Sequence, residues 1–360
     1  MESKLNEYIL SNIIEQKSNI LISQEEVQDI NFKIDAYCKN KGILTMNYHE
    51  FKHLQSTLDP RYGKFFKASV FVRLSTNKQL DINRFNNFIV RKESLFEARL
   101  AFACYDSTYT HTLTVQDLRG YMHDQVKDVP EYDALSEEFQ DVYMQTATKK
   151  FLLLLGHDHM KRIQIQDMLL TPILTEFLEV RELELKDKKW EASNFFAVSN
   201  IIKNFNKFNQ LDTTKRNSLS AAEAFKNGTY NMLFLERYCE EYGKHSRINY
   251  DKFVELLLII DNTANSHIIH LCFEAFDVNK QGFLGHHEIK YFLDPIVKKL
   301  NNQLTDKLET DVVANELMDA LLVKDSVRKK DLKLKFGAIF IKILCTKNGL
   351  VEYYNSFASS

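Results

Sequence analysis

An all-α protein of paired helix–loop–helix units, in two tandem domains with only short β-contacts between loops, is the fold this sequence predicts. Three observations lead there. Glycine and proline are scarce, at 10 and 4 in 360 residues, which is low for a β-rich chain and natural for a helical one. Apolar residues recur at helical spacing on either side of short polar loops. Those loops return along the chain with an apolar residue at one fixed place, the mark of a repeated unit. Hydrophobic residues make up 44% of the chain, enough for a core in each of two domains.

Composition removes several function classes. A formal net charge of −2 gives no global basic footprint for nucleic acid and no acidic tail. The five cysteines, Cys38, Cys104, Cys239, Cys272 and Cys345, are far apart and odd in number, which fits neither a disulfide framework nor a zinc ribbon. The opening MESKLNEYIL has no apolar signal core, and the aliphatic runs at 151–155 and 256–260 are too short to span a bilayer. The expectation is an intracellular, soluble chain. The sequence contains no G-x-S-x-G elbow and no glycine-rich phosphate loop, so no enzyme is expected.

The most informative stretch is FDVNKQGFLGHHEI, 276–289. A hard cation such as Ca²⁺ takes about six to eight oxygens, which a short loop supplies from positions 1, 3, 5, 7, 9 and 12. Asp277, Asn279 and Gln281 stand at 1, 3 and 5, the Phe283 carbonyl at 7, and Glu288 at 12. Gly282 permits the sharp bend at position 6. Apolar faces on both sides (Ile268, Ile269, Cys272, Phe273; Ile289, Phe292, Leu293, Ile296) complete a helix–loop–helix of the EF-hand type. Only two of these ligands are charged, Lys280 lies inside the loop, and Gly285 brings no side-chain oxygen. The loop reads either as one weak Ca²⁺ site or as an ion-free structural turn.

Taken in chain order, 1–23 is expected as an N-terminal helical extension and 24–182 as a domain of degenerate EF-hand-like pairs. Within it, weak echoes centre on Leu44 and Leu80. "CYDSTYTHTLTVQDL" then sets Asp106, Thr108, Thr110, Leu113 and Asp117 at positions 1, 3, 5, 8 and 12, and "LGHDHMKRIQIQDML" sets Ile163 at 8 and Asp167 at 12 but Gly156 at 1. Asp117 is a short ligand nearer to what Mg²⁺ accepts, with an ion-free loop as the alternative. The polar run 183–193, with the single tryptophan, Trp190, reads as a linker. Residues 194–348 form the expected C-terminal EF-hand domain. There "QLDTTKRNSLSAAEAF" offers Asp212, Thr214, Asn217, Leu219 and Glu223, with Arg216 at a ligand position where it would repel a cation. "CEEYGKHSRINYDKF" keeps only Ile248, and the last echo centres on Leu332. Apolar eighth positions would pair as Leu44/Leu80, Leu113/Ile163, Leu219/Ile248 and Leu284/Leu332. Residues 349–360 are expected as a tail.

Other patterns have ordinary readings beside sharper ones. His157-Asp158-His159 and His267/His270 carry metal-ligand residue types without a completing set. The cations of VRKKDLKLKF, 327–336, make either a patch for an acidic partner or a solvated helix–loop junction. Phe65, Phe66, Phe71 and Phe85 make either a core or a groove for a partner helix.

Several segments carry a more specific resemblance: GKFFKASVFVRL (63–74), INRFNNFIVRK (82–92), RIQIQDMLLTPILTEFLEVRELEL (162–185), IKNFNKFNQLD (202–212) and LFLERYCEEY (233–242). From about residue 22 to near 350 the chain resembles the B-double-prime regulatory subunits of protein phosphatase 2A, most closely the gamma-type branch that includes the plant Tonneau2/FASS proteins. The phrase FFKASVF followed by FNNFIVRK is the most discriminating, since generic calcium sensors lack it. The resemblance implies a non-catalytic subunit that docks on the phosphatase scaffold and catalytic subunits and selects substrates. It further implies a cytoplasmic setting at microtubules, centrosomes or basal bodies, with cytoskeletal or centrosomal proteins as partners and the nucleus as a further compartment. Family members often have a well-formed calcium loop where this chain has 212–223, and Thr214, Arg216 and Asn217 depart from it. The alternative function is a stand-alone EF-hand calcium sensor or buffer.

Overall fold

A reciprocal cap opens several of the helices and sets the register of the loops before them. In this computed structural model, which describes residues 21–156, 162–181, 188–302, 307–333 and 336–358 together with Asn12, Ser23 and Glu26 exchange side-chain-to-backbone hydrogen bonds at the start of helix Gln24–Lys41. Such a box satisfies two orphaned helix donors at once. That helix closes on Gly42, whose φ of 65° lies in the left-handed region that glycine tolerates best. Asn47 and Glu50 repeat the box before Tyr48–Thr57, Thr114 and Asp117 before Val115–Val126, and Ser220 and Glu223 before Ala221–Phe225. Glu288 accepts from the Gly285 N–H at 3.0 Å and Asp331 from the Arg328 N–H at 2.8 Å. The carboxylate at loop position 12 is therefore also a helix cap.

Between these helices run only two-residue strands. β1 (Thr45–Met46) pairs with β2 (Leu80–Asp81), β3 (Thr112–Leu113) with β4 (Ile163–Gln164), β5 (Leu219–Ser220) with β6 (Arg247–Ile248), and β7 (Leu284–Gly285) with β8 (Ser326–Val327). The all-α fold with short β-contacts is thus as expected, and Leu219 faces Ile248 as expected. Two pairings differ. Met46, fully buried, faces Leu80, whereas Leu44 is 84% exposed; Leu284 faces Val327, and Leu332 lies in a following 3₁₀ turn. In both cases the capping carboxylate sets position 12, so the apolar eighth position falls four residues before Glu50 or Asp331.

The chain divides into two compact units, Met1–Asp117 with Gln164–Leu170, and Leu118–Ile163 with Thr171–Ser360. This differs from the division expected at 183–193. Helix Glu137–Leu155 buries Tyr143, Met144, Ala147, Phe151 and Leu154, and it packs on Val198–Leu211, Tyr250–Ile259 and Ser266–Phe276 in the second unit. Of the expected linker the structure describes helix Lys188–Ser193, where Trp190 Nε1 donates to Glu179 at 3.2 Å. The expected extension, 1–23, lies almost wholly outside the described residues. The expected tail carries helix Gly349–Ala358, whose Leu350 is fully buried. Among the described residues no single helix is long and apolar enough to cross a membrane.

In the first unit the phenylalanines are core. Phe51, Phe66, Phe71 and Phe85 bury together, with ring centroids 5.0–5.3 Å apart, mostly in the tilted and edge-on arrangements aromatic pairs prefer. Glu93, also buried, is held by Lys64 at 2.8 Å and the Ile22 N–H at 3.4 Å.

In the second unit the two loop pairs are tied by a further backbone contact. The Asn231 N–H donates to the Cys345 carbonyl at 2.9 Å and the Lys347 N–H to the Thr229 carbonyl at 3.1 Å. A buried charge group fixes helix Glu137–Leu155: Lys149 meets Asp251 at 2.6 Å and Glu255 at 2.5 Å, while Tyr238 and Lys252 donate to the same Glu255. Burial pushes the Glu255 carboxyl up, but Lys149 and Lys252 outweigh it and hold it below its usual range. Its stabilising charge is complete above the ordinary value of 4.5 and is lost as pH falls through the lowered one. Lys149→Met leaves Glu255 with Lys252 and Tyr238 alone and takes the lysine from Asp251, and equilibrium urea unfolding is expected to register a loss of about 1.5–3 kcal/mol at neutral pH. The difference from wild type should shrink as pH falls below the ordinary 4.5 and close once it passes the lowered value, where Glu255 is protonated in both proteins.

Candidate metal centre

Three of the polar loops begin with a carboxylate that the fold buries, Asp106, Asp212 and Asp277, and each satisfies it differently. In loop 277–288 the helix Ser266–Phe276 delivers Asp277, which is 3% exposed. Its two oxygens accept from the N–H groups of Gln281 at 2.9 Å and Gly282 at 2.7 Å. Lys280 and Gly282 take left-handed backbone, φ 57° and 77°, which curls the loop around that carboxylate. The amides of Asn279 and Gln281 both reach Glu288, Gln281 at 3.5 Å. Phe283 is half-buried and directly precedes β7. Lys280 turns outward to Glu241. Four of the five expected ligands are thus joined by hydrogen bonds, and the backbone places Phe283 beside them. Rotating the two amides would present oxygen where they now present nitrogen. The donor set, two carboxylates, two amides and one carbonyl, fits a single hard cation with few charged ligands.

Loop 212–223 is filled from outside itself. Asp212 accepts from the N–H groups of Arg216 at 3.1 Å and Asn217 at 2.7 Å, and Thr213 and Thr214 donate to Glu223 at 2.9 and 3.3 Å. The side chain of Arg216 is exposed, so the expected repulsion does not come from there. Arg247 takes the central place instead. Strand β6 sets it opposite Ser220, and its guanidinium lies 2.8 Å from Glu223, 3.0 Å from Thr214 and 4.0 Å from Asp212. It also donates to the Ser218 hydroxyl at 3.0 Å. A fixed organic cation stands where a hand loop would gather oxygens around a metal. Burial raises Glu223, but its bonds to Ser220, Thr213 and Arg247 pull it down to about 2.

Loop 106–117 uses hydroxyls. Thr108 donates to Asp106 at 3.1 Å, and a chain Thr108–Thr110–Thr112 runs on at 2.7 Å per link. The His111 N–H completes the shell of Asp106 at 2.7 Å. Among the described residues no group of three or more His, Cys, Asp and Glu could hold a metal ion. His270 contacts Lys329 at 2.7 Å, and His286 lies 3.9 Å from Asp311; the His157–His159 triplet lies outside the described residues. In the basic run 327–336, Lys329 is tied to Glu274 at 2.7 Å.

No known family model matches the chain. Among curated proteins it is 26% identical over 364 residues to the gamma-type B'' regulatory subunits of serine/threonine-protein phosphatase 2A from Bos taurus and from Homo sapiens, covering 98% of this chain and 80% of each relative. It is 22% identical over 337 residues to TON2 of Arabidopsis thaliana, a probable member of the same B'' group, covering 88% and 70%. Among solved structures a chain of a PP2A PR70 holoenzyme superposes with a TM-score of 0.58 at 18% identity, covering 71% of this chain and 98% of that one. The fold is therefore that of paired EF-hand-like units, shared with the PR70 chain. The chain is homologous to the B'' proteins, gamma type and TON2 included, the family its sequence resembles.

Removing Arg247 should empty the centre of loop 212–223 and leave Asp212, Glu223 and Thr214 facing it. Arg247→Ala is expected to gain one Ca²⁺ equivalent over wild type in calorimetric titration, and adding Glu223→Gln should abolish that gain. In wild type the stabilisation that the Glu223 carboxylate draws from Ser220, Thr213 and Arg247 is complete above its ordinary 4.5 and is lost as pH falls through about 2.

Proposed function

We propose that this chain is a non-catalytic regulatory and targeting subunit of protein phosphatase 2A, binding the scaffold and catalytic subunits and selecting the phosphoproteins that reach the active site. The observation that carries this reading is homology to the gamma-type B'' proteins across 98% of the chain. Such a subunit needs no chemistry of its own. Holding a substrate beside a catalytic chain raises its effective concentration there. In this reading the setting is cytoplasmic and cytoskeletal, at microtubules, centrosomes or basal bodies, with the nucleus as a further compartment, as the resemblance of the sequence implies.

Calcium has a structural part in this reading. Asp277, Asn279, Gln281, Phe283 and Glu288 would hold one weakly bound Ca²⁺, which would replace hydrogen bonds that already shape the loop. Loop 212–223 would bind none, because Arg247 fills it. The second reading, a stand-alone calcium sensor, draws on the hand-like curl of loop 277–288. Affinity purification from the native cell separates the two. The expected result is a stoichiometric complex with phosphatase scaffold and catalytic chains that persists in chelator. Recovery of a free chain, with a calcium response that Asp277→Ala abolishes, overturns it.

A further inference from the structure

The most discriminating sequence phrases, 63–74 and 82–92, supply Phe65, Phe66, Phe71 and Phe85 to the core of the first unit, and their outward-facing residues meet again on its surface. Between helix Ala68–Leu74 and helix Ile82–Tyr105 lies a groove of about 860 Å³. Its walls carry Lys64, Lys67, Arg73, Arg84, Arg91 and Lys92, against a single lining carboxylate, Asp81. Lys64 is spoken for by Glu93. Lys67, Arg73, Arg84 and Arg91 are exposed, and none forms an ion pair with a carboxylate among the described residues. The floor is apolar, with Val70, Leu74 and Phe88, and Leu95 is 49% exposed. Arg73 lies over the Phe88 ring at 5.4 Å and Lys92 over the Phe65 ring at 5.1 Å, so these cations are held against aromatic faces. Burial, and then crowding by Lys64, Lys67 and Arg73, lowers the pKa of Lys92 despite nearby Glu93. Lys64, Lys92 and Leu95 also line a second cavity of about 720 Å³ in the same unit, which lengthens the track.

We propose that this groove docks an extended acidic segment of a partner protein, one that sets several carboxylates against the walls and an apolar side chain on the floor. Cations spread along both walls suit separated charges better than a single phosphate, which is gripped by donors converging on one point. A net charge of −2 gives the whole chain no global positive field, so attraction of an acidic segment is local to cation-rich stretches such as this one. The partner's role in the phosphatase assembly rests on the function proposed above; the groove's chemistry does not.

A fluorescein-labelled peptide of alternating Glu and Leu, titrated into the full chain by anisotropy, tests the proposal. Binding is expected that weakens with salt, and at least a tenfold loss in Arg84→Glu/Arg91→Glu. Lys67→Glu/Arg73→Glu should repeat that loss. All four positions are exposed, so thermal melting should stay near wild type. Lys330→Glu, in the other cation-rich stretch, should leave binding unchanged. No binding, equal loss in Lys330→Glu, or equal competition by a single-stranded oligonucleotide or by vesicles of anionic lipid overturns it. Co-purification of phosphatase chains with the same variants is read separately, so the failure of either reading is distinguishable from that of the other.

Discussion

A carboxylate taken out of water at the head of a loop must find a counter-charge or a full shell of donors, and the rest of this structure is arranged around that demand. An unmet buried charge is costly enough to unfold the surrounding turn. Asp106, Asp212 and Asp277 are all nearly buried, and each accepts backbone N–H groups from its own loop. These bonds impose the curl of the loop whether or not an ion is present. The ligating frame of a hand loop thereby doubles as a structural turn that hydroxyls, an arginine or amides complete.

The carboxylate at the other end of each loop has a comparable double use. Glu50, Asp117, Glu223, Glu288 and Asp331 each cap the following helix through the N–H three residues back. The cap keeps the helix start in place and so holds the apolar strand residue four positions earlier against its partner loop. Loss of metal chemistry in a hand therefore need not cost the fold. This is why loop 212–223 can exchange an ion for Arg247 and still present Leu219 to Ile248.

Much of this was legible in the amino-acid order. Helical periodicity, scarce glycine and the recurring polar loops predict an all-α protein of paired hands, and the hydrogen bonds within loop 277–288 join four of the five candidate positions that spacing singles out. Met46 as a strand residue was legible too, through the capping pair Asn47-x-x-Glu50, whereas hydrophobicity pointed to Leu44; Val327 carries no such signal, because Arg328 gives Asp331 only its backbone N–H. Local rules of this kind depend on residues a few positions apart, and a chain carries them openly.

Contacts between distant segments were hidden for the opposite reason. Arg247 lies 24 residues from Glu223, and nothing in its surroundings in the sequence marks it as a ligand substitute until strand pairing swings it across. The attachment of helix Glu137–Leu155 through Lys149 to Asp251 and Glu255, about a hundred residues later, moved the boundary between the units away from the polar stretch at 183–193. The basic track is likewise an assembly of two helices, whose cations read singly as ordinary surface lysines and arginines. Patterns within a loop fix what each unit is; which charges meet depends on how those units pack, because packing alone brings side chains far apart in the chain within a few ångströms.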